Sequence, residues 1–337
     1  MTDTTRLVVL ARRPDGAPRP DDFRIETRPL PPLGESMVLV AARFIPVSPA
    51  LRTRLDGNAS FAPPLAPDDP IEGNGVGIVL ASRSPDFAAG DWVSGNLGWR
   101  EAHALPAAAL RKLNVSRLAP ELYAGILGSA GLTAYFGLTA YGDVKPNETV
   151  LISSAAGGVG SAAGQIAGIL GARAIGIAGG AEKCTWLTGD LGFAGAIDHT
   201  READLTAAIR GLCPDGIDIM FDNVGNALID AVLPCMRMNG RVLLCGQVGD
   251  YNLAPGMRHG ITQTGFVITR RLRLLGVASH AHHGEYDKAI TRLGDWILQG
   301  RLKHREDMRD GLEALPTAFA DLFAHSNRIG RIIARIH

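Results

Sequence analysis

From Thr149 to Gly249 the chain alternates short apolar runs with helical stretches, and glycine marks nearly every change. TVLISSA precedes a helix beginning at Gly158, and ARAIGIAG precedes another from Glu182. AGAIDH, GIDIMFDNVG and GRVLLCGQVG follow, with a helical segment over Ala227–Met236 between the last two. Runs that are apolar throughout, rather than on alternate residues, suit parallel strands covered on both faces. Strands of that kind alternating with helices give a doubly wound α/β sheet.

The first strand–helix unit carries a chemical signal as well. After the expected strand Thr149–Ser154 the chain reads Ala155–Ala156–Gly157–Gly158–Val159–Gly160. Small residues fall where the G-x-G-x-x-G fingerprint needs them. Gly157 lets backbone approach a pyrophosphate, and Gly160 lets helix and strand pack closely. Ala155 stands in for the glycine of the tight turn, provided its φ stays negative. The free N–H groups and positive end of the helix then face the phosphates. The competing reading is a tightly packed β–α turn that binds nothing. The second strand, Arg173–Ala178, ends in Gly179–Gly180 about 20 residues past the turn, where an NAD site places Asp or Glu. The absent carboxylate leaves room for a 2′-phosphate, and Lys183 follows to meet it. NADPH is therefore the expected cofactor.

A chain of 337 residues suggests two domains, since single cores stop growing near 250–300 residues. The first 120 residues read as strands and turns: Arg6–Ala11, Ser36–Phe44, Gly75–Ala81 and Asp91–Gly95, separated by Pro and Gly clusters. Helices over Glu285–Gly300 and Gly311–Ala324 and a strand over Gly330–Ile336 close the chain. Lys plus Arg and Asp plus Glu are each 34, interspersed, which argues against a nucleic-acid partner. Cys184, Cys213, Cys235 and Cys245 form no CxxC pair, so neither a zinc ribbon nor a dithiol motif is expected. The N-terminus lacks a secretory signal, and reduced thiols fit a cytoplasmic location. Ala124–Gly142 is uncharged but rich in Gly, Ala and Thr, which suits packed core helices better than a membrane span.

The motifs GVGIVLAS (75–82), AAGDWVSGNLGW (88–99), GLTAYFGL (131–138), the glycine turn, AGGAEK (178–183), FDNVG (221–225), AVLP (231–234) and GRVLLCGQVGDYN (240–252) come in order, with Asn327–Arg331 at the end. In this the chain resembles the zinc-independent medium-chain dehydrogenase/reductases, in the branch of NADPH-dependent alkenal/one reductases. The resemblance implies a GroES-like, mostly-β catalytic domain over 1–120, completed by 300–337. It implies a Rossmann dinucleotide-binding domain over 121–299, the cofactor in the cleft, and a homodimer. Cofactor contacts then fall on Ala155, Gly157, Gly158, Val159, Gly160, Gly179, Lys183, His199, Asn223, Cys245, Gly246, Tyr251, Gly276, Val277 and Asn327. His199 stands where relatives often have a tyrosine near the 2′-phosphate; it also reads as an exposed loop histidine. Asn223 also reads as a strand cap, and Cys245 as a buried strand cysteine. Asn327 matches the family's C-terminal asparagine when one extra residue is allowed before Gly330. Two departures fall on the substrate side: Ser48–Pro49–Ala50 replaces a tyrosine-bearing motif, and Arg100–Glu101–Ala102–His103 follows Gly98–Trp99 without the usual aromatic.

The implied chemistry is hydride transfer to the β-carbon of an α,β-unsaturated ketone or aldehyde. Charge then develops on the carbonyl oxygen, and a donor aimed there stabilises the transition state. Tyr251 is the candidate catalytic donor; an aromatic pocket wall is its other reading. Catalytic zinc is not expected, because residues 30–75 contain neither Cys nor His and Ile71–Glu72–Gly73–Asn74 lacks the needed histidine. A quinone reductase of the same superfamily and a non-catalytic NADPH-binding protein are the alternatives.

Overall fold

A computed structural model of the chain describes residues 3–56, 62–324 and 328–337. Its strands are β1 (Thr4–Leu10), β2 (Phe23–Pro29), β3 (Met37–Pro46), β4 (Gly75–Ser82), β5 (Trp92–Gly95), β6 (Ala102–Pro106), β7 (Arg111–Lys112) and β8 (Thr149–Ile152). They continue with β9 (Arg173–Ala178), β10 (Gly195–Asp198), β11 (Ile217–Asp222), β12 (Met236–Leu244), β13 (Arg273–Gly276), β14 (Glu306–Asp310) and β15 (Arg331–Arg335). The helices are α1 (Arg52–Leu55), α2 (Ser129–Phe136), α3 (Gly158–Ile169), α4 (Ala181–Thr185), α5 (Leu205–Leu212), α6 (Asn226–Val232), α7 (Thr264–Thr269), α8 (Tyr286–Leu298) and α9 (Ala314–Asp321).

The chain divides into two units: Met1–Gly125 with Glu306–Ser326 and Arg331–His337, and Ile126–Arg305 with Asn327–Gly330. The divisions fall at 125/126 and 305/306, against the expected 120/121 and 299/300, and residues 328–330 return to the second unit.

The first unit holds the pair β1–β2 and a seven-stranded sheet ordered β14-β15-β3-β4-β5-β7, with β6 also paired to β3. Its core gathers Val8, Val40, Ile45, Leu55, Ile71, Leu97 and Phe319, where the rings of Phe23, Trp99 and Phe319 lie within 6 Å of one another. Ile71 is sealed in this core, and Glu72 beside it pairs with the buried Arg100. Strand β14 (EDMRD) carries no apolar run, and charged side chains suit an edge strand, which is why periodicity does not reveal it.

The second unit is a six-stranded, all-parallel sheet ordered β10-β9-β8-β11-β12-β13. Leu151, Ile175, Ile197, Ile219, Met220 and Val242 are each 3% exposed or less, as strands covered on both faces require. The order runs outward in both directions from the β8/β11 pair, making their carboxyl ends the topological switch point where ligands of such sheets bind. Two expected bounds shift. β8 ends at Ile152 rather than Ser154, because Ser154 adopts a left-handed φ of 48°. The helical segment expected over Ala227–Met236 is α6 and a short 3-10 turn, after which Met236 opens β12. Ala124–Gly142 contains the eight-residue α2, and no described helix is long and apolar enough to cross a membrane.

Candidate functional site

The tight part of the turn after β8 falls on Ser154, not on Ala155, which keeps out of the left-handed region and is fully buried. Gly157 N-caps α3 with extended backbone (φ −81°, ψ 172°), its N–H donating to Ser154 O at 3.0 Å. No side chain caps this helix. The amides of Gly158, Val159 and Gly160 in its first turn thus have the arrangement that satisfies a phosphate. A Cβ on Gly160 would fall 2.4 Å from Ser154 O and 2.8 Å from Ala155 Cα, whereas one on Gly157 would meet nothing closer than 3.3 Å. The turn is therefore packed tightly behind Gly160 and less tightly at Gly157, where only Ser154 comes near. That is the asymmetry a pyrophosphate needs.

A second segment closes on this turn. Gly330 N–H donates to Ala156 O at 2.8 Å, and Gly157 and Gly330 form a parallel bridge. Gly330 has φ 84°, and a Cβ there would stand 1.9 Å from Arg305 O, so glycine is required twice over. Asn327 lies outside the described residues.

At the end of β9, no acidic side chain stands on Ala178–Gly179–Gly180. The His199 ring rests against Gly179, 3.0 Å from where a Cβ would be, and the residue is exposed. The nearby carboxylate of Asp198 is engaged in its own turn. Its Oδ1 accepts from Gly180 N–H (2.8 Å), Thr200 N–H (3.1 Å) and Thr200 Oγ1 (2.6 Å), which holds its pKa below the usual range. Lys183 is half-buried in α4; burial first, then the Arg328 charge, pull its ammonium pKa down.

The switch point is organised by two residues that carry no sequence signal beyond "SS" before the turn and "FD" closing a strand. Ser153 Oγ donates to Asp222 Oδ1 (2.7 Å) and accepts from Asn223 N–H (2.7 Å), while Asn223 Nδ2 donates to Ser153 O (2.8 Å). Asp222 also accepts from Val224 N–H at 3.1 Å and Gly225 N–H at 2.9 Å. It is fully buried, and desolvation, aided by the Asp250 charge, outweighs these bonds and pushes its carboxyl up to about 6. Its carbonyl accepts from Cys245 and Gly246 N–H, fixing both beside Asn223. Burial and the Asp222 charge push the Cys245 thiol up to about 12, which keeps it protonated and a poor nucleophile. Gly276 ends β13 beside Leu244, and Val277 N–H donates to Leu244 O at 2.9 Å. Tyr251 is partly buried; its hydroxyl accepts from Gln247 N–H at 3.2 Å and keeps its own proton to donate, and burial raises its pKa. Among the described residues no cluster of three or more His, Cys, Asp or Glu is placed to hold a metal ion.

Residues 6–113 match a family model described as "N-terminal domain of oxidoreductase", and residues 158–294 match one described as "Zinc-binding dehydrogenase". The chain is 36% identical over 335 residues to the NADPH-dependent curcumin reductase of Escherichia coli, covering 98% of this chain and 96% of the relative. It is 35% identical to the NADP(+)-dependent 2-alkenal reductase of Nicotiana tabacum, covering 99% and 98%. The crystal structure of CurA from Vibrio vulnificus in complex with NADPH superposes with a TM-score of 0.92 at 32% identity, covering 98% of this chain and 99% of that one.

Proposed function

This chain belongs to the zinc-independent branch of the medium-chain dehydrogenase/reductases, and from that premise we propose that it is an NADPH-dependent reductase of the C=C bond of α,β-unsaturated ketones or aldehydes. The observation that carries the reading is the first turn of α3, with no side-chain cap and with Gly157 and Gly160 where a side chain would crowd the turn, in a chain whose relatives are named as NADPH-dependent curcumin and 2-alkenal reductases. When bound, NADPH supplies the hydride; orientation and charge stabilisation are the protein's part.

In this reading the amides of Gly158, Val159 and Gly160 hold the pyrophosphate, and Lys183, with His199 beside Gly179, meets the 2′-phosphate. Ala155 and Gly157 shape the turn. Asn223, Cys245 and Gly246 line the switch-point crevice, and Gly276 and Val277 offer backbone to the carboxamide. Tyr251 donates its hydroxyl hydrogen to the substrate carbonyl oxygen, where negative charge grows; what supports this is a proton left free by the Gln247 contact. A homodimer and a cytoplasmic location belong to the same proposal. The first is supported by β13, an edge strand paired only with β12, and by Ile268 of neighbouring α7, 77% exposed. The second is supported by four unbridged cysteines. Oxidation of NADPH at 340 nm with a simple 2-alkenal, run beside a quinone, tests the function. Turnover of the quinone alone refutes enone reduction in favour of quinone reduction, and turnover of neither leaves a cofactor-binding protein.

A further inference from the structure

We propose that Tyr141 and His282 are positioning residues for hydride transfer, pinning between them the backbone over Val277–Ser279 that receives the nicotinamide end of the cofactor. This rests on the NADPH reading above and goes past its contact residues to the side chains that hold one of those contacts still. The chain after β13 is irregular: Val277 N–H is tied to Leu244 O, Ala278 has φ −127° and ψ 84°, and the 3-10 turn Ser279–Glu285 is broken at His282. Its support comes from α2 and the turn that continues it. The Tyr141 hydroxyl donates to Ala278 O at 3.1 Å, and the Thr133 and Ser279 hydroxyls lie 3.2 Å apart. The Phe136 ring stacks on His282 at 4.6 Å with 9° between planes, and Tyr141 meets the same imidazole edge-on at 5.5 Å and 87°. His282 Nδ1 stands 3.0 Å from Glu285 Oε1, which fixes the rotation of the ring. Both aromatic rings reach His282 because Gly137–Tyr141 is a π-helical turn, closed by Gly142 N–H donating to Gly137 O at 2.7 Å. That wider turn brings Tyr141 round towards the side of Phe136, five residues earlier, and such turns gather at functional sites. The support is itself rigid: a Cβ on Gly137 would stand 2.5 Å from Phe221 Cε2 and 3.5 Å from Val277 Cγ1. The ends of β11 and β13 thus rest on one helical segment, and small misplacements of a reacting group are costly in rate.

The test compares the full chain with Tyr141→Phe, His282→Ala, His282→Phe and the double variant Tyr141→Phe/His282→Ala. Equilibrium binding is measured for NADPH and for adenosine 2′,5′-bisphosphate, which lacks the nicotinamide half, and kcat is measured with a 2-alkenal. Loss of one neutral hydrogen bond corresponds to about 2–10-fold. Tyr141→Phe and His282→Ala should each weaken NADPH about 3-fold and the double variant about 10-fold, with the bisphosphate held within about twofold. The kcat of the double variant should fall at least about 10-fold, and His282→Phe, which keeps a ring to stack on Phe136, should recover most of what His282→Ala loses. Equal losses for NADPH and the bisphosphate, or a double variant that binds NADPH like wild type, overturn the assignment. If the double variant does not fold, Tyr141→Phe, which removes a single oxygen, decides by the same comparison. The reading beneath fails by a separate measurement: wild-type protein that binds the bisphosphate no more tightly than 5′-AMP has no 2′-phosphate site, and overturns both. If the bisphosphate is preferred and the variants lose nothing selectively, the NADPH reading stands and only Tyr141 and His282 fall.

Discussion

Adding one methyl group at Gly160 and one at Gly157, three residues apart, should break different things. At Gly160 the new Cβ would overlap Ser154 O at 2.4 Å and Ala155 Cα at 2.8 Å, both backbone atoms of a buried turn that cannot swing aside. Overpacking of this kind costs about 3 kcal/mol at the upper end, and roughly 1 kcal/mol returns because alanine is the better helix former. The net is a loss of about 2 kcal/mol, or a drop of about 4–8 °C in the unfolding midpoint of a unit this size. At Gly157 the nearest atoms are Ser154 O at 3.3 Å and Ser154 Oγ at 3.4 Å, and φ is −81°, so alanine needs only a small shift of Ser154. Its cost is the poorer N-cap, about 0.5–1 kcal/mol. On the pyrophosphate reading the added Cβ crowds the close approach of backbone and phosphate, and NADPH affinity should fall at least about 10-fold, a change of about 1.4 kcal/mol. Thermal unfolding by circular dichroism and NADPH titration of both variants make the comparison. Gly157→Ala destabilised as strongly as Gly160→Ala, or binding NADPH like wild type, would refute the different parts given to the two glycines.

Three more outcomes are expected. Tyr251→Phe keeps the ring and removes the donor; kcat for a 2-alkenal should fall about 10–100-fold with NADPH affinity unchanged, while a change under about threefold makes Tyr251 a pocket wall. Asp222 is raised from 3.8 to about 6, so its contribution to stability is present below pH 4 and is lost as pH rises through 6, amounting to roughly 3 kcal/mol. Urea unfolding at pH 4.5 and 7 should show about 2 kcal/mol of that decline in wild type relative to Asp222→Asn, and parallel pH dependences would disprove it. Gln165, 5% exposed, accepts from Lys303 N–H at 2.7 Å and donates to Lys303 O at 2.9 Å. Gln165→Leu strands both groups and should cost about 2–3 kcal/mol in chemical denaturation; a loss below about 0.5 kcal/mol would mean that solvent replaces the side chain.

The parallel sheet was legible because its strands are buried on both faces and so write themselves as continuous apolar runs between glycines, as β8, β9 and β11 do. Strand β14 was not, since nothing apolar distinguishes EDMRD until β15 is known to lie beside it. At the site, residues that act through backbone were readable from small size alone: Gly160 could be assigned to close packing before any coordinates. Those that act through partners distant in sequence were not. Asp222 looks like any strand-end acid until Ser153, 69 residues earlier, is found donating to it.

The position of β15 has a consequence for how the chain folds as it is synthesised. All six strands of the parallel sheet lie within residues 149–276, so that sheet can assemble as soon as they emerge. The seven-stranded sheet cannot, because β15, which follows every other strand of it in the chain, inserts between β14 and β3. The amino-terminal part, though made first, must therefore wait for β15, with only the Phe44–Pro46 end of β3 lacking its partner on the side that β6 already covers at Met37–Ala41. Residues 328–330 arrive only just before β15, so the nucleotide turn also reaches its final form late. A ribosome stalled short of residue 330 would carry the parallel sheet with the Ala156 carbonyl still lacking the Gly330 N–H.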